Sequence, residues 1–310
     1  MIFGWFKKRR RKKILAQPIP ESWALHLNRN VRLTWDLPPA EMQRLQKLTQ
    51  VFVAEKHWEG CEGLEVTEEM KVTVAAQACL MLLGVEGFYF DNVSTILIYP
   101  RTIIRNSTDG SPTHRAGEAW QGGPIVLAWD STLRGGRNED DGKNVVIHEF
   151  AHALDGLDGE MGGNIVFDDE ETAANWQRLV KDEFSELCQA KDEGRRTLLD
   201  HYGATNQAEF FAVASETFFE QSHELREEHT ELFRMLKLYF KVDPTQWQET
   251  LVRRRERKRK PPRACIVGLL AFQQIRNLCD RQSQRNRSHL EIRMRRNLGL
   301  DLLEQLVRVF

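Results

Sequence analysis

The sequence predicts an α+β fold that is mostly helical with a small sheet, followed by a basic helical C-terminal extension. Apolar residues recur at helical spacing over most of the chain, in 40–55, 66–83, 170–190, 206–220 and 232–239. Two short apolar runs, 93–99 and 125–128, have the length and composition of buried strands. Because helical segments dominate and only two strands are indicated, we expect the sheet to be small.

Charge divides the 310-residue chain into two parts. Residues 1–252 contain 28 basic and 40 acidic residues, whereas 253–310 contain 16 and 5, so their net charges are −12 and +11. A basic linker at 253–263 precedes two amphipathic segments, 265–279 and 289–309, which predict helices. We therefore expect three regions: a basic N-terminal arm at 1–20, a folded domain at 21–252 and a basic extension at 253–310.

Cysteine usage and hydropathy favour a cytoplasmic protein. The five cysteines are scattered and form no CxxC pair, which fits neither a disulfide framework nor a cysteine-based zinc site. The basic run at 7–13 follows only six residues and precedes no apolar segment, so we expect no secretory signal. No stretch of 18 apolar residues occurs, so we expect no transmembrane helix.

The first 13 residues combine an aromatic start with seven consecutive Lys or Arg residues at 7–13. We expect a solvated arm here, with a weak contact to anionic lipid or to a partner as the alternative.

Three segments ahead of the central motif have weaker signals. Residues 101–123 are polar and contain glycine, which predicts a loop, and the pair at 135–136 (GG) predicts a turn. The strand predicted at 125–128 is either an ordinary core strand or the strand to which a peptide adds as an extra strand.

The most informative stretch is NVVIHEFAHALD, which contains an HExxH motif. Asp140 and Asp141 can cap a helix here, and neither Gly nor Pro interrupts the motif. At 100° per residue, His148 and His152 lie one turn apart on the face opposite the apolar side chains, so both imidazoles can bind one metal ion. Glu149 lies at the edge of that face, near enough to act on a metal-bound water without being a ligand. This is the arrangement of metallopeptidases.

A catalytic zinc takes three protein ligands and keeps one position for water, so a third ligand is needed. The pattern HExxHxxGxxH fails, because Asp155 replaces its glycine and Asp158 its last histidine. The helix predicted at 206–220 offers a glutamate instead. Glu209 and Glu216 share one side of it but are two turns, about 10 Å, apart, so only one can reach the metal. We favour Glu209, in the first turn, and expect Glu216 to be a neighbouring or surface acid.

Two further predictions concern this metal site. Two histidines and one glutamate favour zinc, so we predict one Zn²⁺ per chain. Asp155 lies close to His148 on the helical wheel and can orient a ligand imidazole. Equally, Asp155 can hydrogen-bond the Gly-rich loop that follows the helix.

These residues resemble the Mlc titration factor A family of zinc metallopeptidases. The resemblance is carried by HEFAHALD with AEFFAVASETFF, by FGWFKKRRR near the start and by the helix at 72–80. The pattern Tyr-x6-Glu-Phe-Phe-Ala, from Tyr202 to Ala212, is also similar to the catalytic domain of anthrax lethal factor. Val213 departs from lethal factor, which has an acid there, and 253–310 match nothing in the family.

The resemblance implies a zincin-like metallopeptidase domain in which His148, His152 and Glu209 bind zinc and Tyr202 steadies an oxyanion. It also implies an aminopeptidase-like activity on small peptide substrates and binding to the Mlc repressor. Through that repressor the protein would act on expression of the glucose phosphotransferase system.

The predicted reaction is metal-assisted hydrolysis of a peptide bond. Zinc lowers the pKa of a bound water towards about 7. Glu149 takes its proton and later delivers it to the leaving amine. Tyr202 either helps to stabilise the oxyanion or is an ordinary loop residue. A second hypothesis is a repressor-titrating protein whose peptidase activity is incidental or absent. The basic tail has only two aromatics, Phe272 and Phe310, so no direct nucleic-acid contact is expected.

Overall fold

The computed structural model describes residues 2–106, 112–115, 117–119, 123–158, 162–163 and 165–247. Helices dominate these ranges and the sheets are small, so the predicted α+β class is confirmed. The first compact unit of the chain is Met1–Thr250. The predicted extension at 253–310 and its two helices lie outside the described residues.

Helices and strands follow one another in this order. The α-helices are α1 (Ile2–Leu15), α2 (Glu21–Asn30), α3 (Pro39–Glu55), α4 (Glu68–Leu80), α5 (Trp129–Arg137), α6 (Val145–Asp155), α7 (Glu170–Asp192), α8 (Gln207–Glu220), α9 (Ser222–Glu228) and α10 (Thr230–Phe240). The strands are β1 (His57–Gly60), β2 (Thr95–Tyr99), β3 (Ile103–Asn106), β4 (Pro112–Arg115), β5 (Gly117–Ala119) and β6 (Ile125–Ala128). Sequence analysis did not predict α2, β1 or α9.

The larger sheet has the strand order β1-β2-β6-β5, with β1, β2 and β6 parallel and β5 antiparallel to β6. Alternate residues of β2 and β6 are buried, and Ile98 lies opposite Leu127 in the ladder. β-Branched and other large apolar side chains stabilise strands of this kind by filling the interior. Since β6 is paired on both sides, the alternative that a peptide adds to 125–128 is wrong.

The loop predicted at 101–123 is wrong where the structure places β3, β4 and β5. β3 and β4 form a separate antiparallel pair, and β5 extends the larger sheet. These strands lack the alternating apolar pattern that indicates a strand in a sequence. They are identified as strands by their hydrogen bonds to the neighbouring strands.

The turn predicted at Gly135-Gly136 is also wrong, because both glycines lie inside α5. A Cβ on Gly136 would lie 2.3 Å from the carbonyl oxygen of Asn30, and one on Gly135 would lie 3.0 Å from Cα of Asn144. The two glycines therefore allow close backbone packing rather than a change of chain direction.

The segment expected to be a solvated arm is instead helix α1, and that expectation is wrong. Arg11 is buried against α3, where its Nε donates to Oε1 of Glu55 at 3.2 Å and its Nη2 donates to Oε2 at 2.7 Å. A guanidinium held by a bidentate carboxylate is well ordered, which a run of basic residues does not reveal by itself.

The core lies between α3, α4, α6 and α8, and aromatic side chains fill much of it. Phe52, Phe90 and Phe150 meet with ring centroids 4.7 to 6.3 Å apart, which joins α3 and α6. The apolar face predicted for α6 is fully buried, including Val146 and Ile147. Among the described helices, none is long and apolar enough to cross a membrane.

Candidate metal centre

Helix α6 begins at a different cap from the two predicted. Asn144, rather than Asp140 or Asp141, accepts hydrogen bonds from the backbone N–H groups of Val146 and Ile147, at 3.1 and 3.2 Å. Asparagine is a favoured N-cap, because its side chain satisfies N–H groups that the helix leaves unpaired. The cap residue lies four residues ahead of the first motif histidine, and the helix begins at Val145.

Helix α8 is capped by Asn206, whose side chain accepts from the N–H of Glu209 at 2.9 Å. The cap places Glu209 in the first turn of a helix whose other residues are almost all buried. Since α8 packs directly against α6, this first turn is held beside the motif histidines.

His148, His152 and Glu209 converge on one point. The Nε2 atoms of the two histidines are 3.2 Å apart, and Oε2 of Glu209 is 3.0 Å from the first and 3.4 Å from the second. In a tetrahedral zinc site with ligand bonds of about 2.0–2.1 Å, neighbouring ligand atoms are about 3.3 Å apart. The three atoms therefore fit three corners of a zinc tetrahedron.

Electrostatics also favour a cation at this point. Burial alone would lower the pKa of His148, but its hydrogen bonds with Glu209 and Glu216 raise that pKa well above the ordinary value. Burial would raise the pKa of Glu209, yet the two histidines lower it to about 2. The negative potential that retains a proton on His148 is the potential that would attract a metal ion.

Glu149 is 4% exposed and lies in the second position of the motif. Its charge contributes to the raised pKa of His148, which shows that the carboxylate acts on the cluster. The ligand triangle is formed without it.

Glu216 contacts the other edge of the His148 ring. Its Oε1 lies 2.7 Å from Nδ1 of His148, and its Oε2 accepts from the backbone N–H of Asn144. A carboxylate at Nδ1 fixes the ring so that Nε2 points at the metal position. Of the two alternatives for Glu216, the structure therefore supports an acid that neighbours the site rather than a surface acid.

Of the two alternatives for Asp155, the structure shows the hydrogen bond to the Gly-rich loop. Its Oδ2 accepts from the backbone N–H of Gly163, at 3.0 Å, and so holds the Gly-rich loop after α6. The side chain of Asp158 lies outside the described residues.

Tyr202 lies at the rim of the cluster, on a short 3₁₀ turn, His201–Ala204. Its side chain is 54% exposed and its ring centroid is 5.8 Å from that of His148. Asp200 caps this turn by accepting from the Tyr202 N–H at 2.9 Å, and its other oxygen is 2.7 Å from Lys143 Nζ. Sequence analysis missed Asp200 and Lys143, because nothing local shows that residues 57 apart form a pair.

A helical α+β domain with an HExxH helix and a glutamate from a neighbouring helix defines a metallopeptidase-like protein. Residues 5–241 match the family described as glucose-regulated metallo-peptidase M90. This match covers more than half of the chain, and the chain therefore belongs to that family.

The relatives support the same assignment. A protein of Synechocystis sp. (strain ATCC 27184 / PCC 6803 / Kazusa), slr2042, is 35% identical over 76% of this chain and 89% of its own length. Mlc titration factor A of Klebsiella pneumoniae (strain 342) is 28% identical over 68% of this chain and 82% of its own. Mlc titration factor A of Salmonella agona is 28% identical over 73% and 88%. The resemblance to this family is thereby confirmed.

Proposed function

We propose that this protein is a zinc-dependent peptidase of the aminopeptidase type, with His148, His152 and Glu209 as the zinc ligands. The observation that carries the proposal is the spacing of their three ligand atoms, 3.0 to 3.4 Å, which matches the edges of a zinc tetrahedron. Family membership supports metallopeptidase chemistry independently of that spacing.

A bound zinc ion would supply a Lewis acid and an acidified water, with a pKa of about 7. The carboxylate of Glu149 would take the proton of the attacking water and pass it to the leaving amine. The hydroxyl of Tyr202 donates to the oxyanion that develops on the substrate carbonyl. Glu216 accepts from Nδ1 of His148, which leaves the Nε2 lone pair directed at the ligand position.

The partner proposed is the Mlc repressor, since relatives across most of the chain carry the name Mlc titration factor A. Through it the protein would modulate expression of the glucose phosphotransferase system, in the cytoplasm. The second candidate function is titration of that repressor with incidental or no physiological peptidase activity, and the same names favour it.

Metal content and hydrolysis test the enzyme proposal together. Purified protein should contain one zinc per chain by mass spectrometry and cleave fluorogenic aminoacyl or short peptide substrates. Glu149→Gln should keep its zinc and lose at least about 100-fold in rate, the contribution of a general base. Absence of zinc in the wild type, after zinc has been supplied, would overturn the proposal.

Repressor binding separates the two candidate functions. Immobilised Mlc repressor should retain the wild type and Glu149→Gln equally, since the change removes one charge inside the site. Retention without any hydrolysis by the wild type would favour the titrating protein, and hydrolysis without retention would favour the peptidase alone.

A further inference from the structure

Helix α1 is held against the domain along one face. Besides its ion pair with Glu55, the guanidinium of Arg11 hydrogen-bonds Asp91 and lies 4.0 Å from the ring centroid of Tyr89. Lys7, one turn earlier, pairs with Asp91 at 2.7 Å. These contacts fix the rotation of α1, so its opposite face points to solvent.

That outer face combines aromatic and basic side chains. At 100° per residue, six described side chains lie within about 80° of the direction opposite Arg11. One of them, Arg10, turns back and donates to the carbonyl oxygen of Ala54 at 3.3 Å. The other five face away from the domain. They are Trp5, Phe6, Arg9, Lys12 and Lys13, and all five are exposed. We call this set the α1 outer face.

The aromatic pair is unusually open. Trp5 and Phe6 are 56% and 58% exposed and contact each other edge to face, with centroids 5.1 Å apart. Arg9 lies 5.5 Å from the Trp5 ring centroid. Adjacent exposed aromatics beside cations are typical of a surface that meets the headgroup region of a bilayer, where tryptophan is enriched.

The basic side chains of this face are not neutralised within the domain. Arg9, Lys12 and Lys13 form no ion pair with any acidic side chain among the described residues. Uncompensated cations near a bilayer are attracted by anionic lipid. A nucleic-acid strand would use the same charges, but it binds in grooves that follow its backbone, whereas these side chains lie on the convex side of one helix.

We propose that the α1 outer face docks the protein reversibly on anionic lipid bilayers. The axis of α1 lies along the membrane plane, Trp5 and Phe6 enter the headgroup region, and Arg9, Lys12 and Lys13 contact lipid phosphates. The buried Arg11 transmits this attachment to the domain, because it ties α1 to α3. The inference does not depend on peptidase activity.

Vesicle flotation of the full chain tests the charges. We expect the protein to bind phosphatidylcholine vesicles that contain about 30% phosphatidylglycerol, and to bind vesicles of phosphatidylcholine alone only weakly. Binding to the anionic vesicles should decrease as salt is added. Reversing Arg9, Lys12 and Lys13 to Glu should weaken binding at least about 100-fold, at about fivefold per basic residue. The matched control reverses Arg178, Lys181 and Lys191, three exposed basic residues of α7, and should bind nearly as well as the wild type.

Tryptophan emission tests the aromatic contact. The blue shift on adding anionic vesicles should be lost in Trp5→Phe, while binding is retained, and Trp5→Ala with Phe6→Ala should weaken binding. All these positions are exposed, so melting temperatures should not change. Three results would overturn the proposal: the α7 control variant loses as much vesicle binding as the α1 variant, the wild type binds neutral and anionic vesicles equally, or the wild type binds no vesicles. Binding to a DNA or RNA duplex without vesicle binding would assign the face to nucleic acid instead.

Discussion

Glu209 and Glu216 lie on the same helix and contact the same imidazole at opposite edges. Glu209 reaches Nε2 of His148, where the ligand atoms converge, and Glu216 reaches Nδ1 behind it. The spacing of seven residues, about 10 Å along a helix, separates the proposed ligand from the residue proposed to orient His148.

Metal content should distinguish these two glutamates. Glu209→Gln removes an anionic ligand, so we expect the purified protein to lose its zinc. Glu216→Gln keeps a hydrogen-bond acceptor at Nδ1, so zinc should remain, with an affinity about 10- to 100-fold lower. Mass spectrometry and a chelator competition measure both. Zinc lost with Glu216 and kept with Glu209 would contradict the assignment of ligand and orienting residue.

Lys56 shows how one buried charge can hold a loop. Its Nζ donates to the carbonyl oxygens of Tyr89, Phe90 and Val93, at 3.1, 2.6 and 2.8 Å. Phe90 has a positive φ of 50°, a conformation that non-glycine residues seldom adopt. Desolvation lowers the pKa of Lys56 to about 8, although the acidic Asp91 and Glu55 oppose the shift.

Replacing Lys56 by Met should lower the free energy of unfolding by about 2–4 kcal/mol, because three buried carbonyls lose a charged donor. Urea denaturation measures the change. Lys47→Met, at an exposed position of α3, the helix that ends just before Lys56, is the matched control and should change stability by less than about 0.5 kcal/mol. Similar effects of the two substitutions would refute a structural role for the Lys56 hydrogen bonds.

At the scale of elements, the ion pair between Lys143 and Asp200 joins the segment before α6 to the turn that bears Tyr202. Asp200 both pairs with Lys143 and caps that turn. Its pKa is lowered by these contacts against the effect of burial, so it is ionised at neutral pH.

Asp200→Ala removes the ion pair and the cap, whereas Asp200→Asn keeps a capping oxygen. If the proposed peptidase activity holds, Asp200→Ala should reduce kcat/KM up to about tenfold, the cost of one lost cap. Asp200→Asn should lie between it and the wild type, and zinc content should stay unchanged in both. Loss of zinc from either variant would show that Asp200 acts on the metal centre itself.

His229 joins α7 to the junction of α9 and α10. Its Nδ1 lies 2.8 Å from Oε2 of Glu183, and this hydrogen bond raises the pKa of His229 against partial burial, with support from Glu228 and Glu186. A raised pKa in the folded state means that the stabilisation is present below the ordinary histidine pKa of about 6.5 and is lost as pH rises through the raised value.

His229→Gln should therefore be destabilised relative to the wild type at pH 6, by at most about 1 kcal/mol because the pair is partly screened by solvent. The difference should be smaller at pH 9, because the histidine loses its proton as the pH rises through the raised pKa. Urea denaturation at the two pH values measures it. A difference that is constant with pH would assign the effect to packing.

For the whole molecule, the proposed metal is a cross-link between two central helices, since two ligands come from α6 and one from α8. A ligand that binds only the folded state stabilises it by about 2.7 kcal/mol at 100 times its dissociation constant.

Removing the metal with a chelator should lower the melting temperature by roughly 5–10 °C for a domain of this size. Calorimetry with and without chelator, followed by zinc addition, measures the change and its reversal. Glu209→Gln is the control, because a chain without the third ligand should not respond. A wild type that melts at the same temperature in both conditions would argue against a metal that links these helices.

Features that depend on local interactions were predicted from the sequence, and features that depend on tertiary packing were not. Helices α3, α6, α7 and α8 were predicted within a few residues, because their apolar spacing and caps such as Asn206 are local. Strands β3, β4 and β5 were missed although their partners are close in the chain, because their sequences lack the alternating apolar pattern of a strand. The glycines of α5 were misinterpreted, because the reason for Gly136 is the backbone of Asn30, more than a hundred residues away.

The sequence by itself determined the metallopeptidase-like class of protein and the members of the candidate metal site: the HExxH spacing places two imidazoles on one helical face, and the helix at 206–220 supplies a glutamate. Those properties follow from helical geometry, which is local. The tertiary structure decided that Glu216 orients His148, that Asp200 and Lys143 hold the Tyr202 turn, and that α1 presents its aromatic and basic face to solvent. Each of these depends on which helices pack together and at which rotation, and packing is set by the whole core rather than by neighbours in the chain.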